Sequence, residues 1–374
     1  MPGLGTTFGR GGSTTYLQDL VNSDLILIEG SNFAEAHPVG FRFVMEAKQR
    51  GATIVHVDPR FTRTSAMADV YAPIRSGSDI VFLGALINWV LVNERWFSEY
   101  VRAYTNVSYI VNEEFRDTED LAGLFSGFND SPDTGAHGHD RGSQGLMGTD
   151  QHLSTPGTYD PSSWGFEMED VPRFDGKGTV RQPMRDESLQ HPRSVMQLLR
   201  RHYARYTAEL VEETCGMPRD VFEKIANLLA DNSGRERTTA FAYAVGWTQH
   251  TVGVQYIRAA GILQTLLGNI GRPGGGIMAL RGHANIQGAT DIPTLYDLLP
   301  GYLPMPSGLR DEQTLAEYMK VCTVPAGWWS NAPSTSCRCS RRFSATLPRP
   351  RTTTATTTCR RSSATTPPCR CRSQ

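Results

Sequence analysis

Apolar residues recur along this chain in two alternating rhythms. Short runs at 25–28, 54–57, 71–74 and 239–245 are almost unbroken, whereas the stretches between them bring apolar side chains back every three to four positions. Runs of that length bounded by Gly, Pro, Asp or Asn read as buried strands, and the periodic stretches read as helices packed over them. The first unit shows the grammar. Leu25 to Ile28 form a strand, Gly30, Ser31 and Asn32 break it, and Pro38 opens a helix on which Val39, Phe43 and Ala47 recur at four-residue spacing. Gly51 stands where a helix C-cap is expected, and 54–57 starts the next strand. Two buried strands joined by such a helix predict a right-handed crossover and a parallel sheet.

The alternation continues with an apolar helix at 80–93 that Asp79 can cap, helices at 195–205 and 218–230, and the strand at 239–245. A second strand-to-helix unit then carries the loop 246–253 and a helix from 254 to 267, with Tyr256, Ala260, Leu263 and Leu267 on one face. It ends in the glycine-rich loop 268–276. Between 112 and 192 Gly, Asp, Pro and Ser dominate, predicting a surface insertion that covers a site or meets a partner subunit. After Asn331 every period is lost and Thr, Ser, Arg, Pro and Cys take over, a composition that cannot bury a core. The expected fold is α/β, with Rossmann-like parallel sheets and flanking helices. It divides into segments at 1–110 and 194–331, an insertion at 111–193, and a disordered low-complexity tail at 332–374 whose abrupt onset suggests a shifted reading frame.

Charge sharpens that division. The formal net charge is −1, yet residues 334–374 hold nine arginines and no Asp, Glu or Lys, leaving 28 basic against 38 acidic side chains in the body. An acidic body argues against nucleic acid as a partner. Five of the seven cysteines also fall in the tail, where no His or acidic residue accompanies them, so no metal site is assigned there. No run approaches the roughly 20 consecutive apolar residues that a membrane span needs.

Chemistry concentrates in the loops after the strands, because open α/β sheets bind nucleotides at the carboxyl ends of their strands. Gly30, Asn32 and Glu35 lie in the first such loop, where phosphate or ribose is the default ligand; a tight turn with Asn32 as helix cap accounts for the same residues without one. The spacing is not Gly-x-Gly-x-x-Gly, which weakens a plain nicotinamide or flavin assignment. Asp58 and Arg60 end the next strand, either as an acid for a ribose or base edge beside a phosphate-binding arginine, or as a structural salt bridge. Gly77 and Asp79 add a third loop at the same edge, and the three loops together describe a dinucleotide crevice. A second constellation comprises Gly246, Trp247, Thr248, Gln249 and His250, followed further along by Arg281, Gly282, His283, Asn285, Gln287 and Gly288. Glycines permit close backbone approach there, and amides give paired donors and acceptors. His250 and His283 have no ligand partner at helical spacing, so no metal ligand is assigned. Arg281 between glycine-rich loops suits the grip of a small carboxylate.

Six ordered motifs carry a resemblance to a known family. They are Thr7-Phe-Gly-Arg-Gly-Gly12, Ala34-Glu-Ala-His-Pro-Val-Gly40, Val57-Asp-Pro-Arg-Phe-Thr-Arg-Thr64, Pro73-Ile-Arg-Ser-Gly-Ser-Asp79, Gly246-Trp-Thr-Gln-His250 and Leu280-Arg-Gly-His-Ala-Asn-Ile-Gln-Gly288. From about Thr6 to Asn331 the chain resembles the molybdopterin oxidoreductases, and within them the catalytic subunits of respiratory formate dehydrogenases. The resemblance implies that Asn32, Asp58, Arg60 and Asp79 contact the guanosine or phosphates of one molybdopterin guanine dinucleotide. Trp247 to His250, with Gly282, Asn285 and Gln287, would line a second, the two pterins together chelating molybdenum. Arg281 matches the arginine that orients formate while hydride leaves its carbon.

The family's four-iron iron–sulfur cluster domain is expected ahead of residue 1, as are the selenocysteine or cysteine bonded to molybdenum and its neighbouring histidine. This chain alone is therefore expected to be inactive. The resemblance also implies a periplasmic enzyme, held at the membrane by an iron–sulfur subunit and a cytochrome b subunit, that passes electrons from formate to the respiratory chain. A nitrate reductase or S- or N-oxide reductase of the same superfamily, or a non-catalytic nucleotide-binding module, remains an alternative on the residues alone.

Overall fold

The computed structural model describes residues 2–9, 11–124, 126, 128–129, 158–159, 164–173, 178–282, 298–299, 303–304, 314 and 316–318. Its strands of three or more residues, in chain order, are β1 (Leu25–Glu29), β2 (Thr53–Val57), β3 (Val70–Ala72), β4 (Met168–Pro172), β5 (Thr179–Pro183), β6 (Thr239–Tyr243) and β7 (Gly276–Ala279). Five of them form one sheet in the order β3-β2-β1-β6-β7, with every neighbour parallel. β4 and β5 pair as an antiparallel hairpin within the insertion. The insertion's ends are tied down by isolated bridges from Tyr109, Ile110 and Val111 to Arg185, Ser194 and Phe166 respectively.

The helices are α1 (Pro2–Phe8), α2 (Phe33–Ala36), α3 (Pro38–Gln49), α4 (Arg63–Met67), α5 (Asp79–Val92), α6 (Ser98–Tyr104), α7 (Val195–Tyr203), α8 (Ala208–Cys215), α9 (Arg219–Asp231), α10 (Val245–Thr248) and α11 (Gly253–Leu266). All five residues of β1 are buried, because helices cover both faces of the sheet. Leu25, Leu27, Val55, Val57 and Phe241 share one core with α1, α5 and α11, while Ile26, Ile28, Ile54, Ala240, Ala242 and Met278 pack with α3 and the 3-10 turn Leu17–Asn22 in the other. α5 is apolar nearly all round since α7, α8 and α9 also pack against it.

Some expectations shift. The two sequence segments do not build separate sheets: β6 pairs with β1 from Leu25↔Thr239 to Glu29↔Tyr243, so both segments enter one sheet and one compact unit, residues 1–133 with 156–282. A central strand as apolar as β1 needs a paired neighbour on each edge. A second unit, residues 134–155 with 283–374, contributes to the described residues the antiparallel pair Leu298–Leu299 with Leu303–Pro304 and a helical turn at 316–318. The low-complexity tail lies outside the described residues. On α3 the buried stripe is Gly40, Phe41, Val44 and Ala47, while Val39 is 76% exposed, because strict four-residue spacing drifts around a helix of 3.6 residues per turn. Ser78, not Asp79, occupies the N-cap of α5, and Asp79 is its first helical residue.

The glycine-rich loop 268–276 leads into the amino end of β7, where it serves packing. Gly274 has φ +72°, its N–H donates to Asp19 Oδ2 at 2.8 Å, and an added Cβ would strike the Asn22 carbonyl. Buried Gln264 secures the same end of the sheet, its Nε2 donating to the carbonyls of Thr239 at 2.9 Å and Gly276 at 2.8 Å, and its Oε1 accepting from Asn269 Nδ2 at 2.7 Å.

Candidate functional site

From β1 the chain builds outward through β2 to β3, then returns to lay β6 on the other side of β1. The loops leaving β1 and β6 therefore diverge, and this reversal of strand order is where open α/β sheets hold ligands. A cleft with a cavity volume of about 250 Å³ opens there. It brings together Gly30, Asn32, Asp58, Arg60, Asp79, Gly246 and His250 from the sequence-predicted set, and adds Ser31, Thr62 and Ser76.

The floor is a contact between two glycines. Gly246 N–H donates to the Gly30 carbonyl at 3.0 Å, and Gly30 has φ +62°. A Cβ on Gly246 would lie 2.5 Å from the Gly30 oxygen and 2.8 Å from its carbonyl carbon, so only glycine lets the two loops start this close together.

The wall on the β2 side is fixed by a buried histidine. Ser65 Oγ lies 2.8 Å from His56 Nδ1, and His56 Nε2 lies 3.2 Å from the Ser31 carbonyl. Since a carbonyl can only accept, Nε2–H donates to Ser31 and the Ser65 hydroxyl donates to Nδ1. Burial, only partly opposed by Asp58, pulls the His56 pKa below its ordinary value and favours this neutral form. Asp58 Oδ1 accepts the Arg60 N–H at 2.9 Å, which shapes the turn. The Arg60 guanidinium is exposed and makes no ion pair among the described residues, so Asp58 and Arg60 do not form the structural salt bridge that the sequence left open. Asn32 does not cap α2 with its side chain; its amide donates to Glu35, and its oxygen accepts from Thr64 Oγ1 at 3.0 Å.

Two carboxyl groups meet in this part of the sheet, Asp79 in the cleft lining and Glu29 just before Gly30. Glu29 ends β1, is 1% exposed, and has no hydrogen-bond partner on either oxygen. Burial, reinforced by the neighbouring Asp79, pushes its pKa well above the ordinary carboxylate range. Asp79 is also raised, chiefly by burial, with His250 acting in the opposite sense. Ser31 Oγ, Trp247 Nε1 and His250 Nδ1 are likewise buried without a partner. Orphaned buried polar atoms are exceptional in folded proteins, so those of Ser31 and His250, which line the cleft, mark where a ligand's donors and acceptors belong.

Other predicted residues fall elsewhere. Glu35 is exposed, pairs with Arg63 at 3.3 Å and does not line the cleft. Gly77 sits in a turn at φ +88° whose carbonyl accepts from Tyr256 Oη at 2.9 Å, beside His250. Trp247 is wholly buried and stacked on Tyr243, with centroids 4.8 Å apart, whereas Thr248 and Gln249 are exposed. The structure brings Gly246 and His250 to the same cleft as the first cluster, because β6 is bonded directly to β1.

Arg281 is apart from the cleft-lining residues. Its Nη2 donates to the Gly11 carbonyl at 3.1 Å, its own carbonyl accepts from His37 Nε2 at 3.2 Å, and its Nε is buried without a partner. The Tyr243 phenol, which Arg281 also influences, is pushed by burial up to about 12, and its oxygen is unpartnered. Gly282 is exposed. His283, Asn285, Gln287 and Gly288 lie outside the described residues. Sequence reasoning missed Ser31, Thr62 and Ser76 in the cleft lining, and Glu29, His37, His56 and Tyr243 beside the predicted site residues. Glu29 alone carried a signal, a carboxylate closing an otherwise apolar run.

This fold and site meet a known class. The molybdopterin oxidoreductase family matches residues 5–347, and the chain belongs to that family, which implies a molybdenum–pterin cofactor. The chain is 44% identical over 337 residues to the nitrate-inducible formate dehydrogenase major subunit of Escherichia coli K12, covering 88% of this chain and 30% of that protein. Formate dehydrogenase-O major subunit of the same organism is 43% identical, with 88% and 29% covered. The formate dehydrogenase subunit alpha of Megalodesulfovibrio gigas is also 43% identical, with 89% and 30% covered. The chain thus spans less than a third of the length of these relatives. Among the described residues no group of three or more His, Cys, Asp or Glu could hold a metal ion, and no helix is long and apolar enough to cross a membrane.

Proposed function

We propose that this chain supplies the cofactor-holding and formate-orienting part of a molybdenum-dependent formate dehydrogenase. The observation that carries the substrate assignment is Arg281, whose guanidinium is anchored through Nη2 yet keeps a buried, unpaired Nε–H. A guanidinium so held presents a donor to a small carboxylate without first having to be ordered. Its similarity to relatives that are all formate dehydrogenases supports the choice of formate.

The cleft fits the nucleotide part of the cofactor, in the guanine dinucleotide form. The glycine pair lets the group approach the backbone, Arg60 is free for a phosphate, and Asp58 and Asp79 are acceptors for a ribose hydroxyl or the N–H groups of a base. When bound, the molybdenum–pterin group takes the two electrons of formate. The chain's own task is to fix the carboxylate and hold the group in register. On this reading an iron–sulfur cluster and partner subunits with iron–sulfur and cytochrome b centres carry the electrons onward, on the periplasmic side of the membrane; this part rests on kinship alone.

The test uses the complete protein that contains this chain. Arg281→Lys keeps the charge and loses the planar fork, so formate oxidation should fall roughly a hundredfold while molybdenum content is retained. Unchanged turnover would remove Arg281 from the reaction.

A further inference from the structure

The buried carboxyl of Glu29 is not accounted for by any role above. It does not line the cleft, its oxygens have no partner, and it lies in register between Val57 and Tyr243 on the face of the sheet that packs against α5 and α11. We propose that Glu29 is a proton-holding positioning residue, a neutral acid that donates to Asp79 and accepts from Trp247, and so fixes Asp79 as a carboxylate acceptor facing the cleft. The proposal rests on the nucleotide reading of the cleft only for what Asp79 then recognises.

The groups around Glu29 leave it no cation. Asp79 at the start of α5 and the Trp247 indole on α10 act on it most strongly, and Asp58 after β2 acts from further off. Cys215 on α8 and Tyr256 on α11 also feel its charge. His250 acts on Asp79, not on Glu29. An ionised carboxylate here would face a second acid across an apolar interior with nothing to offset it. A neutral carboxylic acid has one O–H to give and one carbonyl to receive. An ionised Asp79 can only accept, and the buried Trp247 Nε1–H has no acceptor. A protonated Glu29 between them satisfies both, which neither a carboxylate nor an aliphatic side chain can do.

The consequence is selectivity. An Asp79 carboxylate braced from behind accepts from a ligand edge that carries N–H donors, such as the amino and ring N–H of guanine, and repels an edge that presents acceptors. Glutamine is the near-isostere of the neutral acid, since its amide donates to Asp79 and its carbonyl accepts from Trp247. Alanine supplies neither.

Protonation is decided on the unmodified full chain by labelling its glutamates with carbon-13 and following the carboxyl resonances against pH. One glutamate should stay protonated through neutral pH, and its signal should be missing in Glu29→Gln; a full set of glutamates ionised by neutral pH overturns the proposal whether or not the variant folds. Positioning is decided by GDP binding in a calorimeter. Glu29→Gln should bind within about twofold of the parent and Glu29→Ala about tenfold more weakly, the equivalent of one lost hydrogen bond of about 1.4 kcal/mol. Equal weakening by Gln and Ala overturns the positioning role. Absence of GDP binding by the parent would instead sink the nucleotide reading of the cleft, leaving the resonance experiment to decide the state of Glu29.

Discussion

Gly246→Ala adds one methyl group at the point where the two halves of the sheet open. The new Cβ would sit 2.5 Å from the Gly30 oxygen and 2.8 Å from its carbonyl carbon, and both obstacles are backbone that cannot rotate away. Relief requires the loops to part, which breaks the 3.0 Å hydrogen bond from Gly246 to Gly30. One lost hydrogen bond together with local overpacking should cost roughly 2–4 kcal/mol. For a unit of this size that lowers the melting midpoint by roughly 5–15 °C. Gly282→Ala is the control, because a Cβ there meets nothing and the position has no positive φ; it should stay within about 0.5 kcal/mol of the parent. Urea and thermal unfolding followed by circular dichroism measure both variants. If Gly246→Ala unfolds together with Gly282→Ala, the glycines are not in contact and the cleft floor described here is wrong.

Three further outcomes follow from buried polar groups. Folding raises the Glu29 pKa, so the native state holds a proton that the unfolded chain releases; stability is intact below the ordinary carboxylate pKa and is lost as pH rises toward the raised value. Glu29→Gln should therefore flatten the alkaline fall in melting temperature, and parallel profiles for parent and variant from about pH 5 to about pH 8 would contradict this. Gln264→Leu strands the carbonyls of Thr239 and Gly276 and should cost about 2–4 kcal/mol in urea unfolding, a loss under about 1 kcal/mol arguing against the bridge. The His56 pKa is lowered on folding, so its contribution is lost as pH falls below the ordinary histidine value. His56→Leu should lower stability at neutral pH by about 1–3 kcal/mol yet lose less on acidification than the parent, and an unaltered acid limb would refute it.

The order of elements was legible because the strands are apolar on both faces and the helices between them are periodic. β7 escaped notice since its four residues follow directly on a glycine-rich loop, and α8 because its polar residues mask a stripe of only Val211 and Cys215. The cleft was partly legible. Gly30, Asp58 and Asp79 all follow strands that local pattern identifies, so their convergence followed from the parallel topology alone. That Gly246 and His250 join them depended on β6 pairing with β1 across the whole insertion, a long-range choice with no local mark. The same limit hid His56 and Ser31, which matter through a hydrogen bond between β2 and the loop after β1.

The aromatic stack at the end of β6 is in touch with two separate sets of polar groups. Tyr243 and Trp247 lie face to face, but their polar ends answer to different partners: the phenol feels Arg281, and the indole N–H acts on Glu29. Both rings are wholly or almost wholly buried, so the stack packs as an apolar unit while the polar end of each ring meets a different charged residue. Each ring therefore carries its buried polar end to a separate residue, the phenol to Arg281 and the indole to Glu29, while the two faces pack against each other.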